Sequence, residues 1–212
     1  MIVSVSFLKS NYDTKTTIKK IDDTSADYIH VDMMDGKFVK EKNYTIGEFT
    51  KFFSNTSKPL DVHLMTMNPL KYLEAYASLN TEFITFHLEA VSDVQGTIDE
   101  IKNLGLKVGI SIKPKTSIKK IEPYLTLIDQ VLVMSVEPGK GGQVFMESSL
   151  TKIEKLVELR TKNNYSYLIN VDGGINEETF PLVHDVEVDM VVSGSYICMS
   201  DNFEKQIESL RQ

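Results

Sequence analysis

Apolar residues along the chain come in short β-branched runs divided by longer polar stretches. The runs are "IVSVS" (2–6), "DYIHVDM" (27–33), "LDVHLM" (60–65), "FITFHLE" (83–89), "KVGISIK" (107–113), "QVLVMSV" (130–136), "YLINVDG" (167–173) and "MVVSGS" (190–195). Each has the length and composition of a strand. The stretches between them carry helical spacing. In "SSLTKIEKLVELRTK", Leu150, Ile153, Leu156, Val157 and Leu159 form an apolar stripe with charges opposite. "NPLKYLEAYASL" and "DVQGTIDEIKNLG" behave alike, and Gly105 closes the second as a helix C-cap. Eight strands alternating with about eight helical segments predict βαβ units and a parallel sheet. A closed barrel and a doubly wound open sheet both satisfy that order. No Gly-x-Gly-x-x-Gly follows the first run, and eight strands in 212 residues favour the compact α/β solution. The expectation is one (β/α)8 TIM barrel domain over residues 1–212. The longest irregular stretch is "GKFVKEKNYTIG", after the second strand.

Strand alternation sorts the polar residues inside these runs onto single faces. In "HVDMMDG", His30, Asp32 and Met34 share one face, and Val31 and Met33 the other. In "LDVHLM", Asp61, His63 and Met65 oppose Leu60, Val62 and Leu64. In "FITFHLE", Thr85, His87 and Glu89 oppose Ile84, Phe86 and Leu88; in "LINVDGG", Asn170 and Asp172 oppose Ile169 and Val171. Three of the four histidines thus stand toward strand C-termini with a carboxylate two residues away. Barrel enzymes place their chemistry at that end. A lone strand histidine is usually a satisfied core residue. His30, Asp32, His63 and Asp172 together make a two-histidine, two-carboxylate set able to hold a divalent cation. His184 falls in a helical stretch and reads as structural.

Composition narrows the partners. Net charge is -7 and the pI about 5.2, so the basic surplus of a nucleic-acid binder is missing. The single cysteine, Cys198, excludes a disulfide framework and reads as a small buried hydrophobe. "MIVSVSFLKS" lacks the basic region and long apolar run of a signal peptide, and no run approaches the roughly 20 apolar residues of a membrane span. The expectation is a soluble cytoplasmic protein without membrane or nucleic-acid partners.

Glycine-rich turns follow the late strands: "EPGKGGQ" (137–143), "DGG" (172–174) and "SGS" (193–195). Each alone is more often just an ordinary turn. Together, at the C-terminal face of a barrel, they suit the backbone cradle of a phosphorylated small molecule.

The motifs "HVDMMDGKFV", "LDVHLM", "ITFHLEA", "VLVMSVEPGKGGQVF", "NVDGGI" and "SGSYI" resemble, in order and spacing over nearly the whole chain, the ribulose-phosphate 3-epimerase family of (β/α)8 barrels. The resemblance implies His30, Asp32, His63 and Asp172 as ligands of one divalent ion, zinc first, with iron, manganese or cobalt as alternatives. It implies Asp32 and Asp172 as the two acid/base carboxylates of a phosphorylated ketose epimerase. It also implies substrate contacts from Ser6, His63, Met34, Met65, Met134, Gly139, Lys140, Gly141, Gly142, Gly173, Gly174, Gly194 and Ser195. A homo-oligomer, dimer or hexamer, is implied in the same way. Epimerisation beside a ketone removes a proton on one face and returns one on the other, which two flanking carboxylates accomplish.

Three places depart from the family pattern. In "KFVKEKNYTIG", Lys37 replaces a histidine, a proline is missing, and two residues are added before Asn43. Lys140 replaces a phenylalanine in "PGKGG", and "VSVSFLKSNY" is a loose version of the first-strand motif. The altered loop motivates an alternative substrate, a six-carbon ketose phosphate such as D-allulose 6-phosphate. A non-catalytic sugar-phosphate binder is the reading from another class, and the four-residue His/Asp set weighs against it. A decarboxylase relative would carry Asp-x-Lys-x-x-Asp, and Met34 stands where that lysine falls.

Overall fold

The computed structural model describes residues 1–211. Eight parallel strands close into a barrel in sequence order: β1 (Ile2–Ser6), β2 (Tyr28–Met34), β3 (Leu60–Met65), β4 (Thr81–His87), β5 (Lys107–Ile112), β6 (Gln130–Met134), β7 (Leu168–Asp172) and β8 (Met190–Ser193). The expected closed (β/α)8 architecture is the one found, and the open sheet is not. Around it lie α1 (Thr14–Asp22), α2 (Ile46–Phe53), α3 (Leu73–Ala77), α4 (Val94–Asn103), α5 (Ser148–Asn163), α6 (Phe180–Asp185), α7 (Ser195–Cys198) and α8 (Phe203–Ser209).

Local chemistry sets the helix ends. Asp13 accepts from the Thr16 N–H at the start of α1, and Thr45 and Glu48 form a reciprocal capping box on α2. Beyond α4 the chain turns at Gly105, in the left-handed region with φ 75°, as the sequence predicts. On α5, Ile153 and Leu156 are fully buried, while Leu150, Val157 and Leu159 pack partly against the core.

Two expectations need correction. The connection from β5 to β6 contains no α-helix, only 3₁₀ turns at Ile118–Lys120 and Glu122–Tyr124. Ile118, Ile121, Leu125 and Ile128 are buried at helical spacing. Pro123 stands among them, and its missing N–H and its ring disfavour a continuous helix through that point. The run "FITFHLE" leaves the sheet at His87, and Leu88–Ala90 forms a 3₁₀ turn, so Glu89 is not on the strand face with Thr85 and His87.

The barrel wall divides two different interiors. Its outward residues, including Val3, Val5, Ile29, Val31, Val62, Leu64, Ile84, Phe86, Ile110, Val131, Ile169 and Val191, join the helices in one large apolar cluster. At ~25 cal/mol per Å² of buried apolar surface, this layer supplies the main stabilisation. The inward residues are largely polar and hydrogen-bonded to one another. Ser4 donates to Asp61 (3.0 Å), Gln130 to Thr85 (3.1 Å), and Asn170 to the Gln130 side-chain oxygen Oε1 (3.4 Å). Gly109 on β5 makes room for this network: a Cβ there would lie 2.1 Å from Thr85 Oγ1 and 2.9 Å from its Cβ.

Gly109→Ala is therefore expected to overpack the barrel interior, at a cost of about 1–3 kcal/mol. At about 2–4 °C per kcal/mol for a chain of this size, thermal denaturation followed by circular dichroism should show a lowered midpoint. An unchanged midpoint would mean that β4 and β5 separate freely.

Candidate active site

Parallel register brings the chosen side chains to one level. Asp32 on β2 pairs with His63 on β3, Ser6 on β1 with His30, Met34 with Met65, and Met134 on β6 with Asp172 on β7. Inward parity then aims them at the barrel mouth. His30 Nε2 lies 3.4 Å from Asp32 Oδ1 and 4.0 Å from Asp172 Oδ2. His63 Nδ1 lies 3.4 Å and 3.7 Å from the same two oxygens. All four donor atoms fall within 4.8 Å of one another.

Both histidine nitrogens facing this point are buried and make no hydrogen bond. Two orphaned lone-pair sites beside two carboxylates suit a cation, since zinc takes N and O ligands at about 2.0–2.2 Å. Ligand atoms around one such ion stand three to four ångströms apart, the spacing of the four histidine–aspartate pairs here. His30 is oriented from behind: its Nδ1 is 2.7 Å from Asp61 Oδ2, and Ser4 supports the same oxygen. That carboxylate–histidine pairing aims Nε2 inward. Ser6 Oγ donates to Asp32 Oδ2 at 2.8 Å, leaving Oδ1 toward the histidines.

The local field favours positive charge. Burial opposes ionising His30, but Asp61 and Asp32 outweigh it and hold its pKa well above the usual imidazole range. Burial would likewise raise Asp32, yet His30 and His63 hold it well below the ordinary carboxylate range. For Asp172, burial and then the neighbouring Asp32 charge push the pKa up to about 6. Without a cation, the two carboxylates therefore differ in their hold on a proton.

Above this cluster opens a cavity of about 380 Å³, a size suited to a small ligand. Asp32, Asp172, Ser6, Met34, Met65 and Met134 form its floor and walls, and each methionine is almost wholly buried. Gly139, Lys140, Gly141, Gly142, Gly173, Gly174, Gly194 and Ser195 line it as well. The structure thus gathers at one site every residue named as a metal ligand, acid/base group or substrate contact, with His30 and His63 buried beside the cavity. Gly174 has φ 69°, and a Cβ there would stand 2.7 Å from the Phe145 nitrogen, so the turn is as tight as the sequence suggested.

Some neighbours were not assigned from sequence. Asp61 and His87 share the parity of His63 and Thr85, and that alternation was the available signal. Lys9 carried no signal. It enters the cavity wall from the loop after β1, with its ammonium 2.7 Å from the position of a Cβ on Gly142. The divergent loop packs against the cavity's rim: a Cβ on Gly139 would lie 2.8 Å from Val39 Cβ, and Phe38 to Glu41 line an adjoining pocket with Glu137, Pro138, Lys140 and Gln143. Asn43 pins that loop to β2, donating to the Asp32 carbonyl (2.5 Å) and accepting from the Met34 N–H (3.0 Å).

Solved structures of other proteins share the barrel. The chain aligns with 3-hexulose-6-phosphate synthase over 100% of its own length and 98% of that chain, with a TM-score of 0.72 and 15% identity. With KGPDC from Streptococcus mutans the TM-score is 0.70 at 15% identity, covering 99% and 95%. These likenesses establish the fold. Curated relatives are nearer in sequence. Proteins named ribulose-phosphate 3-epimerase match from Treponema pallidum (40% identical, 80% of this chain and 78% of the relative), Bacillus subtilis (39%, 92% and 90%) and Methanocaldococcus jannaschii (36%, 99% and 89%). The model of the Ribulose-phosphate 3 epimerase family matches residues 2–198. With that match spanning the barrel and its His/Asp cluster, the chain belongs to the ribulose-phosphate 3-epimerase family.

Proposed function

We propose that the protein, with residues 1–212 acting as one unit, interconverts D-ribulose 5-phosphate and D-xylulose 5-phosphate. The observation that carries this reading is the placement of two carboxylates, Asp32 from β2 and Asp172 from β7, in the wall of one cavity beside two orphaned imidazole nitrogens. Asp32 accepts the C3 proton in the forward direction and Asp172 returns one to the other face; the reverse reaction exchanges the roles. Ser6 holds Asp32 by its second oxygen, which fixes the direction of Oδ1. His30, His63, Asp32 and Asp172 would hold a divalent ion, with zinc the first choice for a set of two nitrogens and two oxygens. Such an ion supplies Lewis-acid stabilisation of the negative charge that develops on the substrate's oxygens.

Met34, Met65 and Met134 give the reacting carbons a polarizable wall without a competing base. The phosphate belongs at the glycine turns, where Lys9 and Lys140 are the cationic side chains in the wall. The six-carbon alternative rests on the loop after β2, which packs against the cavity's rim at Gly139; the family match and the curated relatives favour the five-carbon substrate. A homo-oligomer, dimer or hexamer, acting in the cytoplasm completes the proposal; light scattering reports the assembly. Among the described residues no helix is long and apolar enough to cross a membrane.

In D₂O, the metal-loaded protein is expected to convert D-ribulose 5-phosphate into D-xylulose 5-phosphate bearing deuterium at C3, read by NMR. Failure to exchange or convert, together with turnover of D-allulose 6-phosphate, would transfer the reading to the six-carbon substrate. Asp32→Asn and Asp172→Asn are each expected to lower kcat by at least about 10²- to 10⁴-fold. Near-normal turnover in either variant would sink the two-carboxylate scheme. Chelation should abolish activity, and added zinc, iron, manganese or cobalt should restore it. Elemental analysis of the purified protein identifies the native ion, and full activity in a verified metal-free sample would refute the metal site.

A further inference from the structure

His63 turns one ring nitrogen to the carboxylates and the other to a neighbour. Its Nε2 lies 2.9 Å from Nε2 of His87, with the ring centroids 4.9 Å apart. Both rings are fully buried. His87 Nδ1 stands 3.3 Å from Glu89 Oε2. The other Glu89 oxygen accepts from the Lys113 N–H at 2.9 Å and from the Thr116 hydroxyl. Phe38 covers the His87 ring at 4.6 Å between centroids, and the Lys113 ammonium lies 3.8 Å from the Phe38 centroid. The chain of contacts runs from β3 through β4 to the loop after β5, outside the four-residue set.

Each link restricts where protons sit. A neutral imidazole has one N–H and one lone pair, and an ionised carboxylate only accepts. Oε2 of Glu89 therefore calls for a proton on His87 Nδ1. A second proton on His87 would put a cation against a ring that would itself face a bound metal ion, which Coulomb repulsion disfavours. His87 Nε2 is then a lone pair, and the Nε2–Nε2 contact is satisfied only if His63 carries its proton on Nε2. That leaves His63 Nδ1 bare, at the point shared with Asp32 and Asp172.

We propose that His87 and Glu89 are positioning residues that hold His63 in its metal-ligating tautomer. Asp61 performs the same task for His30 in one step. The inference rests on the metal site proposed above and extends it to two residues that touch neither metal nor substrate.

Glutamine substitutions separate this role from packing. In Glu89→Gln, the amide oxygen must serve Lys113 N–H, so the NH₂ group faces His87 and reverses the chain of donors. In His87→Gln, an amide oxygen stands near the old Nε2 and still accepts from His63. Zinc affinity, measured by competition with a chromophoric chelator, is expected to fall about 10- to 100-fold in Glu89→Gln and much less in His87→Gln. No loss in Glu89→Gln, or equal losses in both, would overturn the proposal. Should a variant not fold, the wild-type protein still decides. With ¹⁵N-labelled histidines and bound zinc, long-range ¹H–¹⁵N correlations should place protons on His63 Nε2 and His87 Nδ1. A proton on His63 Nδ1 or His87 Nε2 would refute it. If the wild-type protein binds no zinc, the metal reading fails, and the same spectra of the metal-free protein still judge the tautomers.

Discussion

The strict alternation of side chains along parallel strands is the constraint on which this molecule depends. In a closed barrel every strand has one face toward the helices and one toward the axis. A shift of one residue in any strand would exchange those faces entirely. Here such a slip in β2 would turn His30 and Asp32 into the apolar layer and bring Val31 and Met33 to the cavity. The apolar layer resists it, because Ile29 and Val31 are wholly buried against their neighbours there. The reactive geometry is thus secured by hydrophobic packing on the opposite side of the same strands.

The axis of the barrel carries the cost of that arrangement. Barrel interiors are commonly filled by branched aliphatic layers. In this protein much of the filling is polar, and burial of such groups is tolerable when each finds a partner. Below the site the Ser4–Asp61–His30 and Thr85–Gln130–Asn170 contacts meet that condition in part, leaving Asp61 Oδ1 and Asn170 Oδ1 without a partner. At the site itself the condition is broken at His30 Nε2 and His63 Nδ1. Unsatisfied buried nitrogens amid carboxylates form a group that could hold a metal ion.

Much of the site was legible in the chain because its residues are read by parity. His30, Asp32, His63 and Asp172 each occupy an inward position of a recognisable strand, and the glycine turns follow strands whose ends were plain. Glu89 was misplaced because the change from strand to 3₁₀ turn at Leu88 leaves no mark in the hydrophobic pattern. The 3₁₀ connection between β5 and β6 breaks the expected alternation of strand and helix, because apolar spacing does not reveal whether Pro123 permits a continuous backbone. Lys9 was invisible for a different reason: a loop lysine takes its meaning from the turn it lies against, and Gly142 is far away in sequence.

By itself the sequence determined the number and order of the strands, the side of each that is polar, and the chemical types available at their ends. Those properties follow from local periodicity, which neighbouring residues encode. Tertiary structure alone decided which histidine meets which acid. Register between strands paired Asp32 with His63, closure of the barrel brought β7 to β2 across the axis, and the contact of His63 with His87 joined Glu89 to the site. Distances of three to four ångströms between residues as far apart as His30 and Asp172 come from that closure, and no local pattern carries them.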